Sequence, residues 1–294
     1  MTLSGTALPR LAKTLAVLAA AAVLMACSAV KLAYNNLPEL SYWWLDGYLD
    51  LNGAQSPRVR DELASLLAWH RRNELSKLAD LLARAQALAP QDVNASQACE
   101  LVDAIRERLL AVARQAEPAG AELALSLDEM QLKQLESKYA KTNAAYRKEW
   151  LALRPQARLD KRHEQLLERS EDFYGPLEPT QRELLRQQVA QSLFNPVMVD
   201  AERRRRQQAA LALLRRLLAE RTSLAEAGAA LRDYVSRSAE PAAGPWREYR
   251  QRLLPEGCRN VAALHNSTTA AQRERAARRL RAYESDLREL ANGA

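Results

Sequence analysis

Three histidines, three cysteines and one broken metalloprotease signature are where any chemistry in this chain of 294 residues would have to start. His163-Glu164 opens like the zinc motif H-E-x-x-H, but Leu167 stands where the second imidazole belongs. That motif works because two imidazoles one turn apart share a helical face, with the glutamate as base. His70 and His265 lie far off in sequence, so no metal site is expected. The sequence has no C-x-x-C, no G-x-S-x-G and no glycine-rich phosphate loop. Its many carboxylates stand four residues from arginines, as on solvated helix faces. The expectation is a non-enzyme without metal or cofactor. An acid–base pair assembled from distant helices is the one route by which an enzyme stays open.

The cysteines say more. Val23-Leu24-Met25-Ala26-Cys27-Ser28 closes an apolar run that Arg10 and Lys13 precede. The uncharged stretch from Thr14 to Leu24 is about half the ~20 residues a spanning helix needs, and it suits the core of an export signal. Leu24-Met25-Ala26-Cys27 resembles the lipobox of bacterial lipoproteins. The resemblance implies cleavage before Cys27, a diacylglyceryl thioether on Cys27 and acylation of the new amine. Three acyl chains exceed what stable anchoring requires. Ser28, where an aspartate would favour the inner membrane, points to the outer membrane and its periplasmic face. The alternative is an ordinary secretory peptide with an incidental cysteine. On the first reading residues 1–26 are a signal peptide, 27–37 the lipid anchor and tether, and 38–294 a periplasmic domain.

Lipidation of Cys27 would leave Cys99 and Cys258 in an oxidising compartment, where a disulfide is expected. Two separate buried thiols are the alternative. The formal charge is +7, and two of those charges, Arg10 and Lys13, lie in the first 26 residues, leaving +5. Within Glu202-Arg203-Arg204-Arg205-Arg206-Gln207 the four arginines span more than a helical turn and cannot all face one ligand. They read as a solvated helix face, with lipid headgroups as a second possibility. Nucleic acid makes little sense outside the cytoplasm. In Trp69-His70-Arg71-Arg72 the indole is expected to pack and the arginines to hold a surface pairing or an anion.

The elements that would position these residues are helices. Glycine (9) and proline (12) are scarce, and no run alternates with period two, so the fold class is an all-α multi-helix bundle. Apolar spacing predicts a long helix over 57–88 and a second through Leu101, Ile105, Leu109 and Val112. Others run from Leu132 to Leu153, Leu159 to Phe173, Leu184 to Leu193, Val199 to Leu218 and Leu224 to Val235. A linker over 238–245, a short helix through Trp246, Tyr249 and Leu253, and a final helix over Thr269–Leu290 complete the chain. The segment holding Tyr42, Trp43, Trp44 and Tyr48 is apolar nearly all round. It is either a membrane-interface belt or a strut enclosed by the bundle, and the strut is favoured.

One signature recurs: an apolar residue, a polar residue, two of any kind, then glutamine. It appears at Leu51–Gln55, Val93–Gln97, Leu127–Gln131 and Leu177–Gln181, with a looser copy at Thr268–Gln272. Its physical content is a capping box, in which the polar residue accepts from the third backbone N–H and the glutamine reaches back to the cap. The pattern is similar to the L-T-x-x-Q motif of periplasmic helical stress chaperones, the Spy and CpxP group.

A second resemblance covers nearly the whole mature chain. The lipobox, Leu32-Ala33-Tyr34-Asn35-Asn36-Leu37, Trp43-Trp44, Trp69-His70-Arg71-Arg72, Asn266 through Gln272 and Leu280 through Leu287 look like a proteobacterial lipoprotein family, domain of unknown function 6279. It implies an envelope lipoprotein and carries no functional residues with it. The expectation is an outer-membrane-anchored, non-catalytic lipoprotein that binds a protein partner or serves as a scaffold. A chaperone-like binder of unfolded envelope proteins is the alternative, and an enzyme without a recognisable motif comes third.

Overall fold

The computed structural model describes residues 30–220 and 222–293. Cys27, the lipobox and the proposed signal peptide lie outside the described residues. After a helical stretch at 30–35, the chain forms α1 (Leu37–Leu49), α2 (Gln55–Asn73), α3 (Leu75–Leu88), α4 (Ala95–Ser126) and α5 (Glu129–Tyr146). A π-helical turn over Arg147–Leu151 follows. Then come α6 (Pro155–Tyr174), α7 (Pro179–Ala190), α8 (Pro196–Ala219), α9 (Leu224–Ala239), α10 (Pro245–Asn266) and α11 (Ala270–Ala291). The fold is an all-α bundle, with no strand among the described residues.

Three expected boundaries move. The helix expected over 57–88 breaks at Glu74, which caps α2 and starts α3. Glu74 is buried, and its carboxylate takes bonds from Lys77 and Arg108, so tertiary ion pairing holds the break where no glycine or proline marks it. The short helix expected at Trp246–Leu253 runs on to Asn266 through Pro255. Pro255 gives up one ladder bond, and packing of Cys258, Ala262, Leu264 and His265 beyond it outweighs that loss. Residues 30–35, in the stretch expected to be a tether, are helical, and Tyr34 is buried against Leu75 and Leu290.

The core is divided among small clusters. The largest joins Tyr42, Leu49 and Leu51 to Val59, Leu127, Leu132, Leu135 and Leu211. Ala121, Ala124, Leu217 and Ala227 seal α4, α8 and α9. Ala89, Ala277 and Leu280 join α3 to α11, the most extensive helix pair in the fold.

Every copy of the glutamine signature makes the reach-back bond of a capping box. Asn94 with Gln97, Asp128 with Gln131 and Thr269 with Gln272 each exchange both bonds, and at Glu178 the Gln181 Oε1 accepts from the cap N–H at 2.8 Å. Asn52 exchanges both with Gln55: Asn52 Oδ1 accepts from the Gln55 N–H at 3.0 Å, and Gln55 Oε1 accepts from the Asn52 N–H at 3.1 Å. Four of these glutamines then do something a cap does not require. Gln131 Nε2 donates to Gln55 Oε1 at 2.7 Å and Gln55 Nε2 donates back at 3.1 Å. Gln181 Nε2 and Gln272 Nε2 exchange bonds in the same way at 2.8 and 2.9 Å.

The second amide hydrogen of each glutamine goes to the carbonyl just before the partner's signature. Gln55 reaches Ser126 O, Gln131 reaches Asp50 O, Gln181 reaches Ser267 O and Gln272 reaches Pro176 O. Two junctions result, each locking two helix N-termini face to face. In each, one approach comes through a left-handed residue: Asp50 at φ 52° and Gly175 at φ 85°. All four glutamines are buried, which amides tolerate only when their donors and acceptors are met.

Candidate functional site

Two regions carry features that capping and core packing do not absorb. The first is the outer face of α1. Periodicity made this helix an enclosed strut, but the structure splits it. Tyr42 is buried and bonded to Ser56 Oγ at 3.0 Å, and Tyr48 packs edge-on against Tyr139. Trp43 and Trp44 remain 60% and 62% exposed, beside exposed Leu37 and Leu40 and, just upstream, Leu32. Leu37, Leu40 and Trp44 recur at helical spacing, so they form one apolar stripe that leaves the bundle. The physical reason is that α2 and α5 cover only one side of α1.

The second region is a groove of about 720 Å³ between α3, α4, α10 and α11. Leu88, Leu101, Leu253, Leu254 and Leu280 supply its walls. Sequence periodicity read Ile105 and Leu109 as inward positions of α4. The structure exposes both, together with Val102, so an apolar stripe continues from the groove along α4. Val261, 58% exposed, and Leu254 form the facing rim on α10. The groove was not legible beforehand, because a stripe at i, i+3, i+7 reads the same facing a core or a recess.

The structure joins Cys99 on α4 to Cys258 on α10 in a disulfide that spans 159 residues of sequence, with Cα atoms 5.4 Å apart. Cys258 lines the groove, so the bridge pins two of its walls together.

The histidines do not converge. His70 Nδ1 meets Tyr34 Oη at 2.9 Å, and His265 Nδ1 meets Tyr174 Oη at 3.0 Å. His265 Nε2 pairs with Gln91 O at 2.8 Å, which makes Nε2 the protonated nitrogen and Tyr174 the donor to Nδ1. Burial pushes Tyr174 up to about 12, against an opposing pull from Arg273, so the phenol keeps its proton. Burial also lowers both histidines from their ordinary value. His163 has a buried Nε2 without a partner among the described residues. No group of three His, Cys, Asp or Glu among the described residues could hold a metal ion.

The arginine run 203–206 is internally matched. Asp200 pairs with Arg203 and Arg204, and Glu202 with Arg205 and Arg206, each at helical i,i+3 or i,i+4 spacing. Burial alone would raise Glu202, but the bonds from Arg205 and Arg206 hold it below the usual carboxylate range. At the other predicted surface pairing, Arg71 donates to Asn35 Oδ1 at 2.6 Å and lies over the Tyr34 ring. No helix among the described residues is long and apolar enough to cross a membrane.

The model of a family of unknown function, DUF6279, matches residues 47–225, more than half of the chain. The match runs from the end of α1 to the start of α9. It holds both glutamines of the first junction, Gln181 of the second, and Cys99, while Gln272 and Cys258 lie beyond it. No curated protein and no solved structure matches the chain. The chain belongs to the DUF6279 family of unknown function.

Proposed function

We propose that this protein is an outer-membrane lipoprotein, anchored through Cys27, whose helical domain sits on the periplasmic face and has a non-catalytic binding or scaffolding role. The observation that carries the reading is the exposed apolar stripe of Leu32, Leu37, Leu40, Trp43 and Trp44. It begins five residues after the lipobox cysteine. A cluster of this kind at the tethered end is what a lipid interface would cover, since tryptophan favours the headgroup boundary. The lipid would supply the anchor and the stripe would set the domain's orientation.

Two variants test this. Cys27→Ala should release the protein from membranes and abolish incorporation of radiolabelled palmitate. Retention on the membrane would sink the anchoring claim. Trp43→Ser/Trp44→Ser should weaken flotation of the chain with anionic liposomes while thermal unfolding stays nearly unchanged, as expected for exposed side chains. Unfolding lowered by many degrees would restore the strut reading. A chaperone-like role is the second reading, favoured by the apolar stripe of Val102, Ile105 and Leu109, which an unfolded envelope protein could cover. An enzyme stands third.

A further inference from the structure

The groove between α3, α4, α10 and α11 has a chemical polarity along its length. At one end most polar groups are already engaged, the Gln97 Nε2 amide excepted. Gln97 Oε1 accepts from the Asn94 N–H, and both ring nitrogens of His265 are bonded. A peptide laid there would leave most of its backbone N–H and C=O groups without partners, at a cost of a few kcal/mol each. The walls between are alanine, leucine, valine and the disulfide.

The other end carries donors in excess. Arg250 lines the groove, and its Nη1 donates only to Ala239 O at 2.8 Å, with no carboxylate within ion-pair distance among the described residues. Arg106 donates to the same carbonyl at 2.8 Å and pairs with exposed Glu240 at 3.3 Å. Arg206 faces Trp246 from 6.0 Å. The Trp246 Nε1–H is buried with no acceptor among the described residues. Burial first, then Arg106 and Arg206, depress the Arg250 guanidinium, with Glu202 and Glu240 opposing. Beside the other two large recesses, Arg58 pairs with Glu122 and Arg232 with Glu117.

We infer that this groove binds one long-chain fatty acid, its acyl chain lying between α4 and α10 and its carboxylate meeting Arg250, Arg106 and the Trp246 indole N–H. From Arg250 to Val261, α10 advances about 16 Å, room for most of an extended long acyl chain. The carboxylate supplies what Arg250 lacks, an acceptor with a negative charge. The chain asks for no hydrogen bonds, which suits the apolar walls.

The test is photo-crosslinking of the full chain carrying Cys27→Ala, so that palmitate cannot be counted through covalent lipidation, with a diazirine analogue of palmitic acid followed by peptide mapping. Adducts should fall on 97–109 of α4 and 246–261 of α10. Arg250→Gln should lower labelling about tenfold, the size expected for one lost charge-assisted hydrogen bond. The methyl ester of the same probe should label the unsubstituted groove about tenfold less than the acid, by the same argument. Leu254→Glu, at the exposed rim, should block labelling without altering thermal unfolding. Adducts confined to α1, equal labelling by acid and ester, or displacement by a lysophospholipid or an extended peptide but not by palmitate would each overturn the assignment. Because this chain lacks the lipidation site, failure here leaves the anchoring proposal untouched.

Discussion

At the first glutamine junction, Gln55 and Gln131 come from α2 and α5, and the segment between them stays within the stretch matched by the family model. At the second, Gln181 and Gln272 come from α7 and α11, and only Gln181 falls within that stretch. The hydrogen-bond pattern is the same, down to the carbonyl each spare amide hydrogen chooses. The surroundings differ. The first junction is roofed by the leucine-rich cluster around Leu51, Leu127 and Leu132. The second hangs from the end of α10, where Thr268 N–H bonds His265 O at 3.0 Å and His265 bonds Gln91. The second junction also packs Leu177, Leu185 and Leu264 in an apolar cluster of its own, so what sets it apart is the chain of polar contacts through His265 added to that burial. Apolar burial tolerates small displacements, whereas a polar chain fails when one link goes.

The largest test of that difference is the disulfide. Reduction, or Cys258→Ser, removes a constraint on a long loop and should cost about 2–5 kcal/mol of stability. The loss should be local as well as global. Hydrogen exchange should rise across 264–272 at the second junction and stay near its starting level across 51–55 and 127–131. Equal loss of protection at both junctions would show that they do not differ in support.

Next come the paired glutamines. Gln131→Ala or Gln181→Ala strands a buried amide and removes a reach-back cap, together about 2–4 kcal/mol. Within either junction the double alanine variant should cost much less than the sum of the singles, because the second substitution removes the group that the first had stranded. Additive losses, measured by urea unfolding, would mean that the two amides act as independent caps.

These pairs also mark the limit of what local sequence expresses. A polar residue followed three positions on by glutamine states the cap outright, since both bonds close within one turn. Nothing local tells which caps meet, because Gln55 and Gln131 stand 76 residues apart and Gln181 and Gln272 stand 91 apart. The same reason hides the break at Glu74, whose partner Arg108 is on α4. Pro255 misleads in the other direction: a local stop signal is overridden by burial further along α10. Exposure of Trp43 and Trp44 is equally silent in sequence, since periodicity reports a stripe and not what covers it. The all-α class was legible because it needs only spacing and composition; the groove was not, because it needs four helices at once.

Acidification should separate the junctions more gently. His265 has a folded-state pKa below its ordinary 6.5, chiefly through burial. A base whose pKa is lowered by folding binds its proton more readily in the unfolded chain. Its contribution to stability is therefore complete above about 6.5 and drains away as pH falls towards the lowered value. Protonation would set a charge on Nδ1 where Tyr174 now donates. Exchange at 264–272 should thus increase between pH 7 and 5 before it does at 51–55, and His265→Gln should remove that difference. His70 is lowered by burial in the same way but lies at neither junction, so His70→Gln should leave the difference in place.

The smallest effect is the most diagnostic of what a glutamine pair adds. Gln97 forms the same capping box with Asn94 but meets no second glutamine, and the Val93 backbone beside it is held by Asn266 instead, through 2.8 and 2.9 Å bonds. Gln97→Ala therefore removes only the reach-back bond to the Asn94 N–H, about 0.5–1 kcal/mol. It strands no buried partner, since the freed N–H lies on an exposed residue. The gap between this loss and that of Gln131→Ala isolates the part of the stability that comes from joining two helix ends rather than finishing one. If Gln97→Ala costs as much as Gln131→Ala, the junctions add nothing beyond capping. The recurrence of the signature would then reflect helix starts alone.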